Sequence, residues 1–569
     1  MISSKQNIIL ISLMACLLAV RVYLGRIASI FLLPGQIYDD DWMLLASELP
    51  DHFAGLNMPW HMLMIKDMGY PALLALIRSA GVQYTDAMAI LWFSAAVLFM
   101  CLFRSITSIK HWATSAFIYA FVLFQPMAFD TLTSLRLYRN GALIPFYFIV
   151  LTMMGLIFAR FFTSSRPSSF KVFIIFQLIF GSIFTWTYYM KEDGIWLLCC
   201  LVAILLLCTI KIIQQYRQSV KTCLLQLTVL FIPVLLFATA TIAYKSINQA
   251  YFGVYETNNR TAGELGKFIK NVYDIKSAER SGTVWAPTDA VMKAFDVSDT
   301  LSSNNDLRDS VIHTAWFEGN IYKSPIQGDF LGWVMMTSIS DTKVCHSLPE
   351  QEEFLRKANN ELAAAFSNGR LEKDDSFRLT SSMGGRSIRE ILHLRRLLSR
   401  QYRSYIAMQG VGYTPYDYRI VFNPNDPKDH QEIIAKASQT VGFDLTQKNS
   451  DAGNAAFVLN KLFLGYAALQ ILGTVFALLG IGFAVKKLLA RQKPFTSAEG
   501  CSLAISVSSL LLSVVYGIAV AWFCEFVFAL IDWVPKFYGI GMIPMLTLFE
   551  VFGSYLFFFY LQAHRKNLQ

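Results

Sequence analysis

The chain has 569 residues, of which 54% are hydrophobic, 14% aromatic and only 16% charged. Soluble domains carry roughly 25% charged residues, and several apolar runs here reach the roughly 20 residues that cross a bilayer. The ordinary soluble classes are excluded, and the chain reads as a polytopic α-helical membrane protein. A formal charge of +9 does not mark a nucleic-acid binder, because the basic residues collect in short loops between apolar runs, which is the positive-inside pattern.

From the N-terminus, Lys5 precedes an apolar run that continues past Arg21 and Arg26 to Leu33. It has no small-residue cleavage site, so it reads as a retained first helix and not a signal peptide. Spans are predicted at roughly 7–33, 83–103, 112–129, 141–162, 172–189, 195–210, 222–244, 456–485, 499–524 and 538–562, about ten helices with both ends on one side. One set of loops holds Lys5, Arg104, Lys110, Arg160, Arg166, Lys171, Lys211, Arg217, Lys221, Lys486, Lys487, Arg491, Lys493, Arg565 and Lys566 with almost no acid before Glu499. That side is expected to be cytoplasmic. The expected organisation is an N-terminal transmembrane module, 1–244, carrying an acidic external loop 34–82; an extracytoplasmic domain, 245–455; and a C-terminal transmembrane module, 456–569.

The stretch "YDDDWMLLASELPDHF" follows the first span. Asp39, Asp40 and Asp41 stand together there, although like charges repel and hydrocarbon offers them nothing. A hydrated helix boundary is the ordinary account. The functional accounts are a general base that takes a proton from an attacking hydroxyl, and a divalent-cation site, since hard cations select oxygen ligands. Three consecutive helical residues cannot all face one ion, so at most two act together. In the same loop "DDWMLLASEL" has the apolar spacing of a helix lying on the membrane surface. "GYPALLALIRSAG" is too short to span and reads as an interfacial or re-entrant helix with Pro71 near its start.

The other outer loops are charged in a chain otherwise sparing of charge. "MIKDMGYP" holds Lys66 and Asp67. "SLRLYRN" holds Arg136 and Arg139, which one helical turn would present together and whose guanidinium forks suit phosphate. "TYYMKEDGIW" holds Lys191, Glu192 and Asp193, and "VPKFYGIGMIP" holds Lys536 and Tyr538 at the start of the last helix. Singly, each reads as a hydrated helix end. Together they predict one polar cavity at the outer membrane face.

The external domain is expected to be mixed α/β, with "EEFLRKANNELAAAF" helix-like and "FLGWVMMTSI" strand-like. Its segment "RSIREILHLRRLLSRQYR" sets Arg386, Arg389, Arg395, Arg396, Arg400 and Arg403 beside an apolar stripe of Ile388, Leu392, Leu398 and Tyr402. It reads either as the solvated face of a soluble helix or as a basic amphipathic helix on anionic lipid or a lipid phosphate. Trp285, Trp316, Trp333 and Tyr402 read first as core aromatics and second as surfaces for sugar rings. Of nine cysteines only Cys345 lies away from the apolar segments, so no disulfide framework staples this domain, and no Cys/His metal spacing is present.

An acidic pair at the outer end of helix 1, then surface helices, more spans and a large external domain, resembles the GT-C class of membrane glycosyltransferases. That class includes protein O-mannosyltransferases, the oligosaccharyltransferase catalytic subunit, aminoarabinose transferases and arabinofuranosyltransferases. "YDDDW" at 38–42, "KDMGYPALLAL" at 66–76 and "KEDGIWLL" at 191–198 are similar to the YDD, KGxGYP and REEGxW patterns of bacterial GT-C-like proteins, and "YFGVYETN" at 251–258 adds to the likeness. The resemblance covers the first 260 residues best and the rest mainly in layout. Gly69 keeps the second glycine of KGxGYP while Asp67 replaces the first. Lys191 stands for the Arg of REEG and Asp193 for its second Glu, so position 191 lacks the fork of a bidentate phosphate contact.

The resemblance implies a polyprenyl-phosphate sugar donor and a glycan, lipid or protein acceptor, meeting on the extracytoplasmic face of a bacterial cytoplasmic membrane. It implies an inverting displacement with Asp39 or Asp40 as base, the YDD register favouring these over Asp41. Lys66, Arg136, Arg139 and Lys191 would neutralise the departing phosphate, and Tyr38, Tyr70, Glu192, Asp193, Lys536 and Tyr538 would orient substrate. No cofactor is required, and a divalent cation at Asp39 and Asp40 stays open. The alternatives are a transporter or flippase, which calls for charged or Gly/Pro-broken sites at mid-helix and often repeated halves; a polysaccharide polymerase or ligase of another fold; and a non-catalytic assembly protein.

Overall fold

A computed structural model describes residues 4–32, 59–163, 169–313, 326–415, 428–446, 450–490, 494–528 and 534–568. Tyr38, Asp39, Asp40, Asp41 and the "DDWMLLASEL" segment lie outside the described residues, as do Arg166, Trp316, Arg491 and Lys493.

The chain begins with α1 (Ser4–Ile27), α2 (Gly69–Ser79), α3 (Tyr84–Thr107), α4 (Trp112–Leu123), α5 (Arg139–Phe162), α6 (Phe170–Tyr188), α7 (Ile195–Gln215), α8 (Val220–Leu230) and α9 (Ile232–Phe252). A polar part follows, with α10 (Gly263–Asp274), β1 (Val284–Ala286), α11 (Thr288–Val297), α12 (Asp299–Ser302), α13 (Asn305–Ile312), β2 (Ile326–Gln327), α14 (Leu331–Asp341), α15 (Leu348–Ser367), α16 (Ile388–His393), α17 (Arg395–Ile406) and α18 (Lys428–Val441). The chain ends with α19 (Ala452–Leu489), α20 (Ser497–Phe528), α21 (Val534–Tyr538) and α22 (Met542–Leu568).

Among the described residues eight helices, α1, α3, α5, α6, α7, α19, α20 and α22, are long and apolar enough to cross a membrane. Helices α8 and α9 meet at 40° and make a ninth span if counted as one. Pro233 sits in the first turn of α9; it donates no N–H and its ring clashes with the carbonyl four residues back, so the bend falls there. The expected span 112–129 is instead the 12-residue α4. At about 1.5 Å per residue it is roughly 18 Å long, short of the ~30 Å of hydrocarbon. The helix count is therefore eight or nine, against the ten expected.

Aromatic rings fill the middle of the bundle, where Trp92 of α3 and Phe148 of α5 stand 5.6 Å apart and Phe99 reaches Phe552 of α22. Small residues bring α19 and α22 together: Gly480 rests on the Gly553 backbone with no room for a Cβ. Close backbone approach of this kind supplies the packing that lipid gives no hydrophobic drive for.

Among the described residues the polar part is helical and not mixed α/β, and its one sheet has two strands, β1 antiparallel to β2. "FLGWVMMTSI" is helix α14, not a strand. Leu331, Val334, Met335, Met336 and Ile339 are all buried, so the helix is apolar on most sides and its 3.6-residue period is masked. The core around it takes Phe268 and Val272 of α10, Trp285, Phe295 of α11 and Leu355 of α15. Met62 and Ile65, from before α2, and Trp522 of α20 join the same cluster.

Two ion pairs, the second of them wholly buried, join this part to the bundle. Arg386 pairs with Glu525 near the end of α20 and donates to the carbonyls of Gly282 (2.7 Å) and Trp522 (2.9 Å). Lys536 Nζ lies 2.8 Å from Asp130 Oδ2 and also donates to the Gly410 carbonyl. Asp130 further accepts the Thr133 and Gly412 N–H groups, each at 3.0 Å. Removing one partner of such a pair strands a buried charge, which destabilises by about 3–5 kcal/mol. Lys536→Met is therefore expected to lower the melting temperature sharply in detergent, and Asp130→Asn added to it should recover part of the loss. Equal melting of single and double variants would contradict the pairing.

Candidate functional site

The end of the bundle that meets the polar part gathers four charged segments. The first is fixed by backbone. Where α1 ends, Phe31 accepts the N–H of Leu137 (2.7 Å) and donates to the carbonyl of Leu135 (3.1 Å), a short parallel bridge. Arg136 lies within that bridge, buried, with its guanidinium 5.0 Å from the Tyr138 ring and 5.6 Å from that of Phe537. The sequence reading sets Arg136 and Arg139 on one helical turn. In the structure Arg136 is extended and α5 begins at Arg139, yet both guanidinium groups flank the same Tyr138 ring.

The second segment is the turn between α6 and α7. Glu192 Oε2 is 2.8 Å from Arg139 NH1, with both side chains buried. Glu192 Oε1 is also buried and accepts no hydrogen bond among the described residues. Lys191 Nζ pairs with Asp193 at 2.7 Å and lies 5.6 Å from the Tyr538 ring.

The third segment, Lys66–Asp67, is pinned to that turn by a glycine. Gly69 N–H donates to the Tyr189 carbonyl at 2.8 Å, and Trp186 Nε1 donates to the Gly69 carbonyl at 2.9 Å. A Cβ on Gly69 would stand 2.5 Å from the Tyr189 oxygen, so no other residue allows the approach. The motif glycine and the acidic turn are thus one packed unit.

The fourth segment comes from the polar part, and sequence reading missed its role. Asn258 Nδ2 donates to Asp67 Oδ1 at 3.2 Å, and its Oδ1 accepts the N–H and hydroxyl of Thr261. Arg260 pairs with Asp329 at 2.8 Å. The Trp333 ring stands 5.6 Å from Lys66 Nζ and 5.7 Å from the Arg260 guanidinium. Arg260 lies two residues after "YFGVYETN", but charge is ordinary in a polar region and does not stand out there.

These charges act on one another. Burial alone would raise the Glu192 carboxyl, but Arg139, Lys66 and Arg260 overcome burial and hold it well below the usual carboxylate range. Asp67 goes the other way: burial, then the Glu192 charge, push it up to about 8, against the pull of Asn258, Arg139 and Arg260. One carboxylate is kept charged and its neighbour neutral, the arrangement by which environments separate acid from base.

The remaining expected site residues sit as follows. Tyr70 is fully buried in α2, its hydroxyl 3.3 Å from that of Tyr84. Lys536 is held by Asp130, one residue from Phe537, which packs on Arg136. The Tyr538 carbonyl accepts the Tyr516 hydroxyl at 3.2 Å. Tyr38, Asp39 and Asp40 lie outside the described residues, and with them the possible metal site. Among the described residues no group of three His, Cys, Asp or Glu side chains is arranged to hold a metal.

Two measurements check this geometry. Gly69→Ala forces the Lys66 and Glu192 loops apart and should destabilise by about 1–3 kcal/mol, read as a lower melting temperature. Asp67 has a folded pKa above its unfolded value of about 3.9. The folded state keeps a proton that the unfolded state loses, so stability should fall as pH rises from about 4 to about 8 and level off above. Asp67→Asn should flatten that part of the pH–stability curve.

No protein-family profile, no curated protein and no solved structure matches this chain.

Proposed function

We propose that this chain is an integral membrane glycosyltransferase of GT-C type, moving a sugar from a polyprenyl-phosphate donor to a glycan, lipid or protein acceptor. The carrying observation is the convergence of Arg139, Lys66 and Arg260 on the buried Glu192, beside the Lys191–Asp193 pair, at one end of a bundle of membrane-length helices. Cations fixed at the edge of the hydrocarbon suit a phosphate whose lipid tail remains in the bilayer. The unbonded Glu192 Oε1 suits a sugar hydroxyl.

In this reading the acceptor oxygen forms a bond to the anomeric carbon while the bond from that carbon to the phosphate oxygen breaks. The acceptor proton passes to Asp39 or Asp40, and the polyprenyl phosphate leaves against Arg136, Arg139, Lys66 and Lys191. Leu32 is buried beside the Phe31–Arg136 bridge, and the sequence reaches Asp39 a few residues later. In this reading the site faces outward and both termini face the cytoplasm, which the loop charges support.

Transport is favoured by one contrary observation: Glu550 is buried within α22 and accepts the Thr474 hydroxyl at 2.9 Å, and acids at such positions often serve transport. The two readings part on substitution. With radiolabelled polyprenyl-phosphate sugars and membrane acceptor, Asp39→Asn or Asp40→Asn is expected to lose about 10²–10⁴ in transfer rate, and Arg139→Met about 10²–10³. Glu550→Gln should leave transfer within a few-fold of wild type. No transfer from any donor, with the aspartate variants still complementing a deletion strain and Glu550→Gln failing to, would replace the enzyme reading with transport.

A further inference from the structure

We propose that α16 and α17 form an interfacial helix pair that binds the headgroups of anionic phospholipids in the leaflet bordering the polar part. The level of the pair in the bundle is the first reason. Leu398 of α17 and Met542, the first residue of α22, both lie against Gly517 of α20. Gln401 donates to the Gly517 carbonyl at 3.2 Å, and the Tyr402 hydroxyl lies 2.8 Å from that of Ser513. At the other end of α20, Glu499 pairs with Lys487 at 2.6 Å. From Glu499 to Gly517 the helix rises about 27 Å at ~1.5 Å per residue, close to the ~30 Å of hydrocarbon. Helix α17 therefore lies against α20 where hydrocarbon gives way to headgroups, and Tyr402 has the position of an interfacial anchor.

The second reason is what the pair exposes. Arg386 is buried against Glu525 and takes no part. Arg389, Arg395, Arg396, Arg400 and Arg403 are exposed, and so are Ile388 and Leu392, at 77% and 66%. Arg396, Arg400 and Arg403 follow the i, i+4, i+7 spacing of one helix stripe. Like charges at that spacing oppose one another. Among the described residues no carboxylate pairs with Arg389, Arg395, Arg396 or Arg403, and Glu390 of α16 is engaged in the Ser387 capping box. Exposed leucine and isoleucine next to an arginine stripe at this depth fit acyl chain below and phosphate above. A soluble polyanion would satisfy the arginines but leave Ile388 and Leu392 in water.

The test reconstitutes the full chain in bilayers of phosphatidylcholine and phosphatidylglycerol and reads the protein-bound fraction of each spin-labelled lipid by electron paramagnetic resonance. Wild type is expected to prefer phosphatidylglycerol. The triple variant Arg396→Gln, Arg400→Gln, Arg403→Gln should lose preference at that site by up to roughly fivefold per arginine. The corresponding triple lysine variant should keep most of it, because the charge is retained. An unchanged preference in the glutamine variant overturns the proposal. A loss shared by the lysine variant overturns it too, since that marks a packing effect, and so does displacement of the bound lipid by inorganic phosphate, which marks a soluble-anion site.

Discussion

A carboxylate buried away from water stays charged only when cations face it, and Glu192 imposes that requirement on its surroundings. Arg139 meets it directly at 2.8 Å, and Lys66 and Arg260 contribute through the field. These groups come from the start of α5, the loop before α2 and the polar part. The charge of Glu192 thus has to be matched by segments far apart in the chain. Asp67 shows the limit of the arrangement, since the same cations do not suffice to keep a second buried acid ionised next to the first.

The rest of the architecture keeps these segments in place. Gly69 seats Lys66 and Asp67 on the Tyr189 carbonyl. The Asp130–Lys536 pair ties the loop before α5 to α21 and to the Gly410–Gly412 backbone. The Arg386–Glu525 pair ties the polar part to α20. The last two locks are charge pairs with further hydrogen bonds. Such pairs add little net stability but penalise any arrangement that separates them.

Much of this was legible before any coordinates. Of the ten spans read, eight stand as membrane-length helices among the described residues and a ninth as the bent pair α8 and α9, because composition largely decides where such helices lie. The charged loop residues were legible because charge is rare in this chain. Their partners were not. Arg139 with Glu192, Asp67 with Asn258 and Asp130 with Lys536 are distant in sequence, and no local pattern encodes such pairs. Arg260 and Asp329 were hidden because they sit where polar residues are ordinary. The burial of Tyr70 was readable in principle, since Tyr70, Leu73, Leu74 and Ile77 make an i, i+3, i+4, i+7 stripe. α14 was misjudged because burial on most sides erased its period, and the 112–129 run because Pro126 ends the helix early.

The contact between Gly69 and Tyr189 also limits how sequences of this kind can drift. The two loops touch through main chain, not through side chains that exchange freely, and the gap admits no Cβ. A lineage that replaced the glycine would have to reshape the turn between α6 and α7 in the same step. The backbones at Gly69 and Tyr189 can therefore change only together, despite the more than one hundred residues that divide them in the chain. Variation is left to the side chains around that fixed junction, among them those at positions 67, 191 and 193.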